Sequence, residues 1–200
     1  MARFGIRTAK AYGVPTPVIR AIARQLKPNT KLALELWPTR VLEARILAAM
    51  IADPAEVTEA QVERWVGDFD NWGVCDGTCL SLLWRMPFAW RKVEEWSRRE
   101  PEFERRAAFS LLAVLAVHDK KAPDKQFRAA LKLVWQARND ERNYVRKAVN
   151  WALRQIGKRN ATLHAPAMQM AERLARAESR AARWIGHDAL RELRHRSFPT

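Results

Sequence analysis

Apolar residues recur along this chain at spacings of three and four, and no segment keeps the strict alternation of a half-buried strand. The pattern predicts a succession of amphipathic helices. The first is "VPTPVIRAIARQL", with Thr16 as N-cap and Pro17 as first helical residue. "TRVLEARILAAMIA" follows, then "TEAQVERWVGDF", capped by Thr58 with Glu59 and Gln61 in its first turn. Next come "NWGVCDGTCLSLLW", "FAWRKVEEWSRR", "PEFERRAAFSLLAVLAV", "DKQFRAALKLVWQAR", "RNYVRKAVNWALRQIG", "LHAPAMQMAERLARA" and "SRAARWIGHDALRELR". Breaks are expected at Pro54, Pro87, Pro101, Pro123, "NDERN" and "GKRN". Roughly ten helices with short connections and no linker predict one all-α domain over residues 1–200.

A motif repeats within this pattern. "ERRAAFSLLAVLA", "VRKAVNWALRQIG" and "SRAARWIGHDALREL" each place a basic residue and alanine ahead of an apolar helix. Helix pairs recurring about every 35–45 residues predict a HEAT-like α-solenoid, an α-α superhelix in which equivalent positions align. The basic residues opening the inner helices then form a stripe on a concave face. The plainer alternative is that these side chains lay their stems along helix edges with their charges in water.

Composition sharpens the picture. The 200 residues are 48% hydrophobic, enough for a sizeable core, and glycine is scarce. The net charge is +14 and the sequence pI about 10.7, mostly from arginine spread along amphipathic segments. That distribution predicts a folded basic surface, with nucleic acid as first partner and an anionic membrane surface as second. No run is long enough to span a bilayer, and "MARFGIRTAKAYG" has no apolar signal-peptide core. Cys75 and Cys79, four apart on one helix, are expected as reduced core thiols, which fits the cytoplasm. His118, His164, His187 and His195 have no ligand spacing, so neither metal nor cofactor is expected.

Asp76 stands one turn after Trp72 in a helix otherwise suited to a core, so the two share a face. Lys147 and Trp151 repeat that spacing, and Arg106 takes the place of Lys147 one repeat earlier. If these helices are neighbours, one surface gathers two indoles, one carboxylate and a basic fringe. The plain readings are that each tryptophan is core and that Asp76 only pairs with Arg106.

At this point a resemblance enters. "GVPTPVIRAIARQL", "ELWPTRVLEARILAAMIA", "NWGVCDGTC", "WRKVEEWSRREPEFERRAAFSLL" and "VRKAVNWALRQIGKRN" resemble the HEAT-like-repeat DNA alkylpurine glycosylases, the AlkD family. The resemblance covers nearly the whole chain and is most specific in "NW…D", "RRAA" and "KA…WALR". It implies a solenoid cradling duplex DNA and excision of alkylated purines such as 7-methylguanine and 3-methyladenine. By position it implies Asp76 as the catalytic aspartate, Trp72 and Trp151 beside the lesion nucleotide, and Arg106 at the lesion-side backbone. Thr16, Arg20, Lys147 and Arg154 fall where DNA contacts are implied. The expected partner is double-stranded DNA with alkylated bases, bound by a monomer, with no membrane and no metal. A bacterial-type cytoplasmic location, on the nucleoid through DNA, is expected with it.

The chemistry is coherent by itself. Alkylation at a ring nitrogen makes the purine cationic and weakens its bond to the sugar. Its departure leaves an oxocarbenium-like sugar, which a fixed carboxylate stabilises while holding the attacking water. At roughly 4 Å and an effective dielectric of about 20, that charge contributes up to ~4 kcal/mol, or about a thousandfold in rate. Indole faces suit cations and sugar C–H groups, and an arginine suits a phosphate. No lysine stands with Asp76 to form a Schiff base, so base release without strand cleavage is expected.

The sequence departs from the family pattern at two places. Gly73 stands where the family commonly has an acid, and Met1 aligns inside the family's N-terminal region, as if the chain began one helix late. Relatives that bind unusual DNA structures without excision supply the rival function, a non-catalytic binder of damaged or branched DNA. A protein-binding HEAT scaffold is the third reading.

Overall fold

A computed structural model describes Ile6, residues 10–26 and residues 28–198. Among the described residues there are eleven α-helices, two 3-10 turns and no strand, as the all-α pattern predicts. No helix among them is long and apolar enough to cross a membrane. The chain packs as two compact units, Met1–Ala89 and Trp90–Thr200.

The first unit holds α1 (Thr16–Leu26), α2 (Thr30–Leu36), α3 (Leu42–Ile51), α4 (Glu59–Gly67) and α5 (Trp72–Ser81). Helix α3 is its hub and packs against α1, α2 and α5. Ala48 and Ala49 are fully buried, and their small side chains let neighbouring helices approach closely. Two charges are buried on the same helix, Glu43 and Arg45. The Glu43 carboxylate accepts from the backbone N–H groups of Tyr12 (3.0 Å), Gly13 (2.7 Å) and Val14 (3.3 Å). This fixes the segment that leads into α1, where Gly13 takes a left-handed φ of +79° that a side chain would resist. Burial alone pushes the Glu43 pKa up, but these backbone donors outweigh it and hold the carboxyl below its ordinary value.

Three details differ from the sequence pattern. Helix α2 was not expected: "TKLALEL" is seven residues long, too short for its period to show, and is set by Asn29, whose side chain accepts from the Leu32 N–H. The carbonyl of Pro15 accepts from Val18 and Ile19, so Thr16 lies inside the first turn of α1 rather than at its cap. Helix α3 begins at Leu42 instead of near Thr39, because Arg40 is left-handed (φ 57°) and Val41 extended after the 3-10 turn Trp37–Thr39.

The second unit holds α6 (Ala89–Trp96), α7 (Glu102–His118), α8 (Asp124–Gln136), α9 (Asn143–Arg159), α10 (Ala161–Ala175) and α11 (Arg180–Leu193). Every residue of α7 from Arg106 to Ala116 is buried. Helix α9 packs on α7, α8, α10 and α11, so it is the spine of this unit. The expected break at "GKRN" is narrower than predicted. Gly157 is helical and serves packing, since a Cβ there would lie 2.9 Å from both Ala167 and Leu193. Only Asn160 separates α9 from α10; its Oδ1 accepts from the Leu163 N–H at 2.9 Å and its Nδ2 donates to Asp124 at 2.9 Å. Arg159 closes the end of α7 by donating to the carbonyls of Ala116 (2.9 Å), Asp119 (2.7 Å) and Ala122 (3.2 Å).

Two predictions follow from this packing. A Cβ on Gly186 would lie 2.3 Å from the Ala175 nitrogen and 2.6 Å from the Ala171 oxygen, both backbone atoms of α10. Gly186→Ala should therefore cost about 3 kcal/mol or more, far beyond the ~1 kcal/mol gained in helix propensity. A Cβ on Gly77 meets nothing within 4 Å, so Gly77→Ala should stabilise the fold by up to ~1 kcal/mol. Urea unfolding of the two variants checks the opposite signs. For Glu43, the depressed folded pKa means its contribution is complete above the unfolded value near 4.5 and is lost as pH falls through the lower folded value. Glu43→Gln should cost about 2 kcal/mol at neutral pH, and the gap to wild type should narrow on acidification below that point.

Candidate nucleic-acid interface

In the first unit, Trp72 opens α5 and Asp76 follows one turn later, both partly exposed, while Val74, Cys75, Thr78 and Cys79 of the same helix are buried. By sequence α5 is a weak helix, with two glycines, a threonine and two cysteines in ten residues. Its start is fixed instead by Asn71, itself buried. The Asn71 Oδ1 accepts from the Val74 N–H at 3.0 Å, and its carbonyl accepts from Cys75 at 3.2 Å.

The corner ahead of that cap is tied down by an aromatic pair. Trp37 and Trp65 stack with centroids 4.2 Å apart and planes 6° from parallel, and Trp37 Nε1 donates to the Asp68 carboxylate at 2.9 Å. The buried Arg45 donates to the carbonyls of Trp37 (3.2 Å) and Asp68 (3.1 Å), and reaches the Asp68 and Asp70 carboxylates at 3.9 Å. Asp70 in turn accepts from the Asn71 side chain at 2.7 Å. The aim of α5, and so of Trp72 and Asp76, is thereby set by residues that the motif search did not single out. The Gly73 departure also has a local reason. A Cβ at that position would lie 3.2 Å from the Asn71 cap oxygen and 3.2 Å from Ile6, so a side chain there would press on both.

Thr16 and Arg20 are exposed one turn apart on α1. Arg20 lines an open cavity of about 650 Å³ with Arg24, Asp53, Leu80, Trp84 and Arg85. Trp72 and Asp76 are not among its lining residues, so this hollow is distinct from the motif on α5. Burial pushes the Arg85 pKa down, with Asp53 acting in the opposite sense.

In the second unit, Lys147, Trp151 and Arg154 project from one face of α9 at helical spacing. Lys147 is exposed; Trp151 and Arg154 are half-buried. With the Gln155 amide turned so that its oxygen faces them, that oxygen accepts from Trp151 Nε1 at 3.1 Å and from Lys158 Nζ at 3.3 Å. Arg154 pairs with Glu192, which also accepts from Lys158 at 2.5 Å. Burial raises the Glu192 pKa, but Lys158 and Arg154 overcome it and keep the carboxylate ionised below its usual range. Two cations on one anion leave a net positive charge on this face. Lys158 was not marked by the sequence motifs, although it continues their spacing.

Arg106 differs from the surface stripe expected of it. It is 6% exposed, and its Nη1 donates to the Tyr144 carbonyl at 2.5 Å, in the first turn of α9. Its position holds α7 to the helix that carries Lys147 and Trp151. Arg146, beside Lys147, lies 4.6 Å over the Trp184 ring of α11.

The chain is similar to known proteins. The family model described as "DNA alkylation repair enzyme" matches residues 1–193. A solved structure described as "a new family of proteins related to the HEAT-like repeat DNA glycosylases with affinity for branched DNA structures" is similar in fold, with a TM-score of 0.75. It is 22% identical in sequence, over 92% of this chain and 83% of that one. No curated protein matches the chain significantly.

Trp65 and Trp151 give a direct contrast. Trp65 is 1% exposed in a stacked pair, so Trp65→Ala should cost about 3–5 kcal/mol. Trp151 is half-buried at a helix face, so Trp151→Ala should cost about 1 kcal/mol. Chemical denaturation checks both, and a loss in the larger range for Trp151 returns it to the core.

Proposed function

The chain belongs to the DNA alkylation repair enzyme family, and from that premise we propose that it is a monofunctional DNA glycosylase releasing cationic alkylated purines from duplex DNA. The observation that carries the proposal is Asp76. It is a partly exposed carboxylate one turn from a partly exposed tryptophan, on a helix otherwise built for burial. An acid placed so in a chain of net charge +14 suits a cation brought by the substrate.

In this reading Asp76 faces the sugar as the purine leaves. Its negative charge stabilises the oxocarbenium-like carbon, and its oxygen orients the water that adds to that carbon. The purine departs with the glycosidic electron pair, which neutralises its ring charge. Trp72 offers an indole face to the cationic base or sugar, and on α9 Trp151 offers one to the DNA. Thr16 and Arg20 on α1, and Lys147 and Arg154 on α9, contact phosphates and carry no sequence information. Arg106 is chiefly a positioning residue, because its burial and its bond to Tyr144 tie it to the opening of α9.

A second reading draws on the fold neighbour, whose description gives affinity for branched DNA. Here the chain binds such structures and excises nothing, and Gly73 reflects relaxed demands on α5.

Release of free base from duplex carrying 7-methylguanine separates the two. Wild type should release it, and Asp76→Asn should do so about ten- to a thousandfold more slowly with melting temperature and duplex affinity nearly unchanged. Equal rates for the two proteins remove Asp76 from the mechanism. No release by wild type, with tight binding to branched DNA, favours the second reading.

A further inference from the structure

Several arginines of the second unit are held by a carboxylate. Arg99 pairs with Glu104, Arg105 and Arg142 with Asp140, and Arg154 with Glu192. A different group gathers around one indole: Arg128 and Lys132 on α8, Arg138 just past its end and Arg173 on α10 surround Trp135, and none of the four has a carboxylate within 4.0 Å among the described residues. The Arg173 guanidinium lies 3.6 Å from the Trp135 ring centroid and that of Arg138 4.2 Å. Arg138 also donates to the Trp135 carbonyl at 2.9 Å.

Two guanidinium groups held on one indole repel each other, and a cation–π contact offsets this only weakly at a half-exposed site. The arrangement does still the two long side chains, so an anion that bridges them meets cations already in place. Hollows of about 470 and 460 Å³ flank the ring; one acid, Glu178, lines the first and none lines the second. None of the large exposed apolar side chains lies on α8 or α10, which disfavours a hydrophobic protein interface or insertion into lipid.

This surface is separate from the candidate interface on α9. Helix α8 packs through Phe127, Ala130, Leu131 and Val134, and α9 is one of the helices it packs on. Arg128 and Lys132 are exposed, and the hollow they line draws on α8 and α10 and on no residue of α9. Lys147, Trp151 and Arg154 lie on α9 itself.

We infer that the α8–α10 surface binds the phosphate backbone of a second DNA segment, so that one molecule holds two arms of a branched DNA. The inference rests on the DNA-binding part of the reading above and is independent of excision. Planar guanidinium groups grip phosphate oxygens two at a time, and the indole edge packs against sugar.

The test compares affinity for a four-way junction with that for linear duplex of the same sequence, across a salt series. Two double variants are used, Arg128→Gln with Lys132→Gln, and Arg138→Gln with Arg173→Gln. The first alters exposed side chains only, so it remains informative if the second disturbs Trp135. Each should weaken junction binding about tenfold or more and reduce its log–log salt slope by about 2, leaving duplex affinity within about twofold. Parallel losses for junction and duplex overturn the inference, because the surface then belongs to a single duplex footprint. No change in either also overturns it, and is the outcome expected if the surface serves RNA or an acidic protein. Base release from 7-methylguanine duplex is read separately. Its absence in wild type defeats the glycosylase reading while the junction result stands.

Discussion

A protein assembled from short helices has a problem at every helix end, where the last turn leaves carbonyl oxygens without intrahelical donors. Here arginine closes several of the joints between helices. Arg45 serves the carbonyls of Trp37 and Asp68, Arg159 those of Ala116, Asp119 and Ala122 in and just past the last turn of α7, and Arg106 and Arg142 join the starts of α7 and α9 through the carbonyls of Tyr144 and Glu100. Only a planar group with five N–H donors reaches several diverging carbonyls at once. Deleting Arg159 removes its donors from three part-buried carbonyls, at about 1–3 kcal/mol for each one left unsatisfied. The joints between successive helices therefore rest on charge–dipole contacts as much as on apolar burial.

This use of arginine changes what the net charge of +14 means. Part of it is consumed inside the fold and part is neutralised by nearby acids such as Asp140 and Glu192. What remains for a polyanion is concentrated: Arg20 and Arg24 on α1, Lys147 on α9, and the cations around Trp135 on α8 and α10. A partner reads these clusters and not the average. The same division separates the two functional readings. In the proposed excision Asp76 and the cap that aims it would carry the chemistry, whereas in either reading affinity would rest on the clustered cations.

The periodicity of three and four was enough to read the all-α architecture, because each helix buries one face and that demand is written locally. Helix α2 escaped because seven residues between Pro28 and Pro38 complete barely two turns. Gly157 was misjudged as a break because glycine punctuates chains locally, while its reason here is contact with Ala167 and Leu193. Trp72 and Asp76 were legible as a pair, since spacing alone places them on one face. The cluster of Trp37, Trp65 and Arg45 that aims them was not, because its members come from three separate elements. Arg106 looked like a surface cation because its partner carbonyl lies 38 positions away and carries no side-chain signature.

The helix that carries Asp76 also carries both cysteines, Cys75 and Cys79, each with no exposed surface. Thiols are the softest nucleophiles a protein owns, and methylating electrophiles react with them as well as with purine nitrogens. Packed among Val74, Thr78 and the neighbouring helix α3, neither sulfur meets solvent. These two thiols are thus shielded from methylating reagents at the place where modification would most directly displace the Asp76 carboxylate.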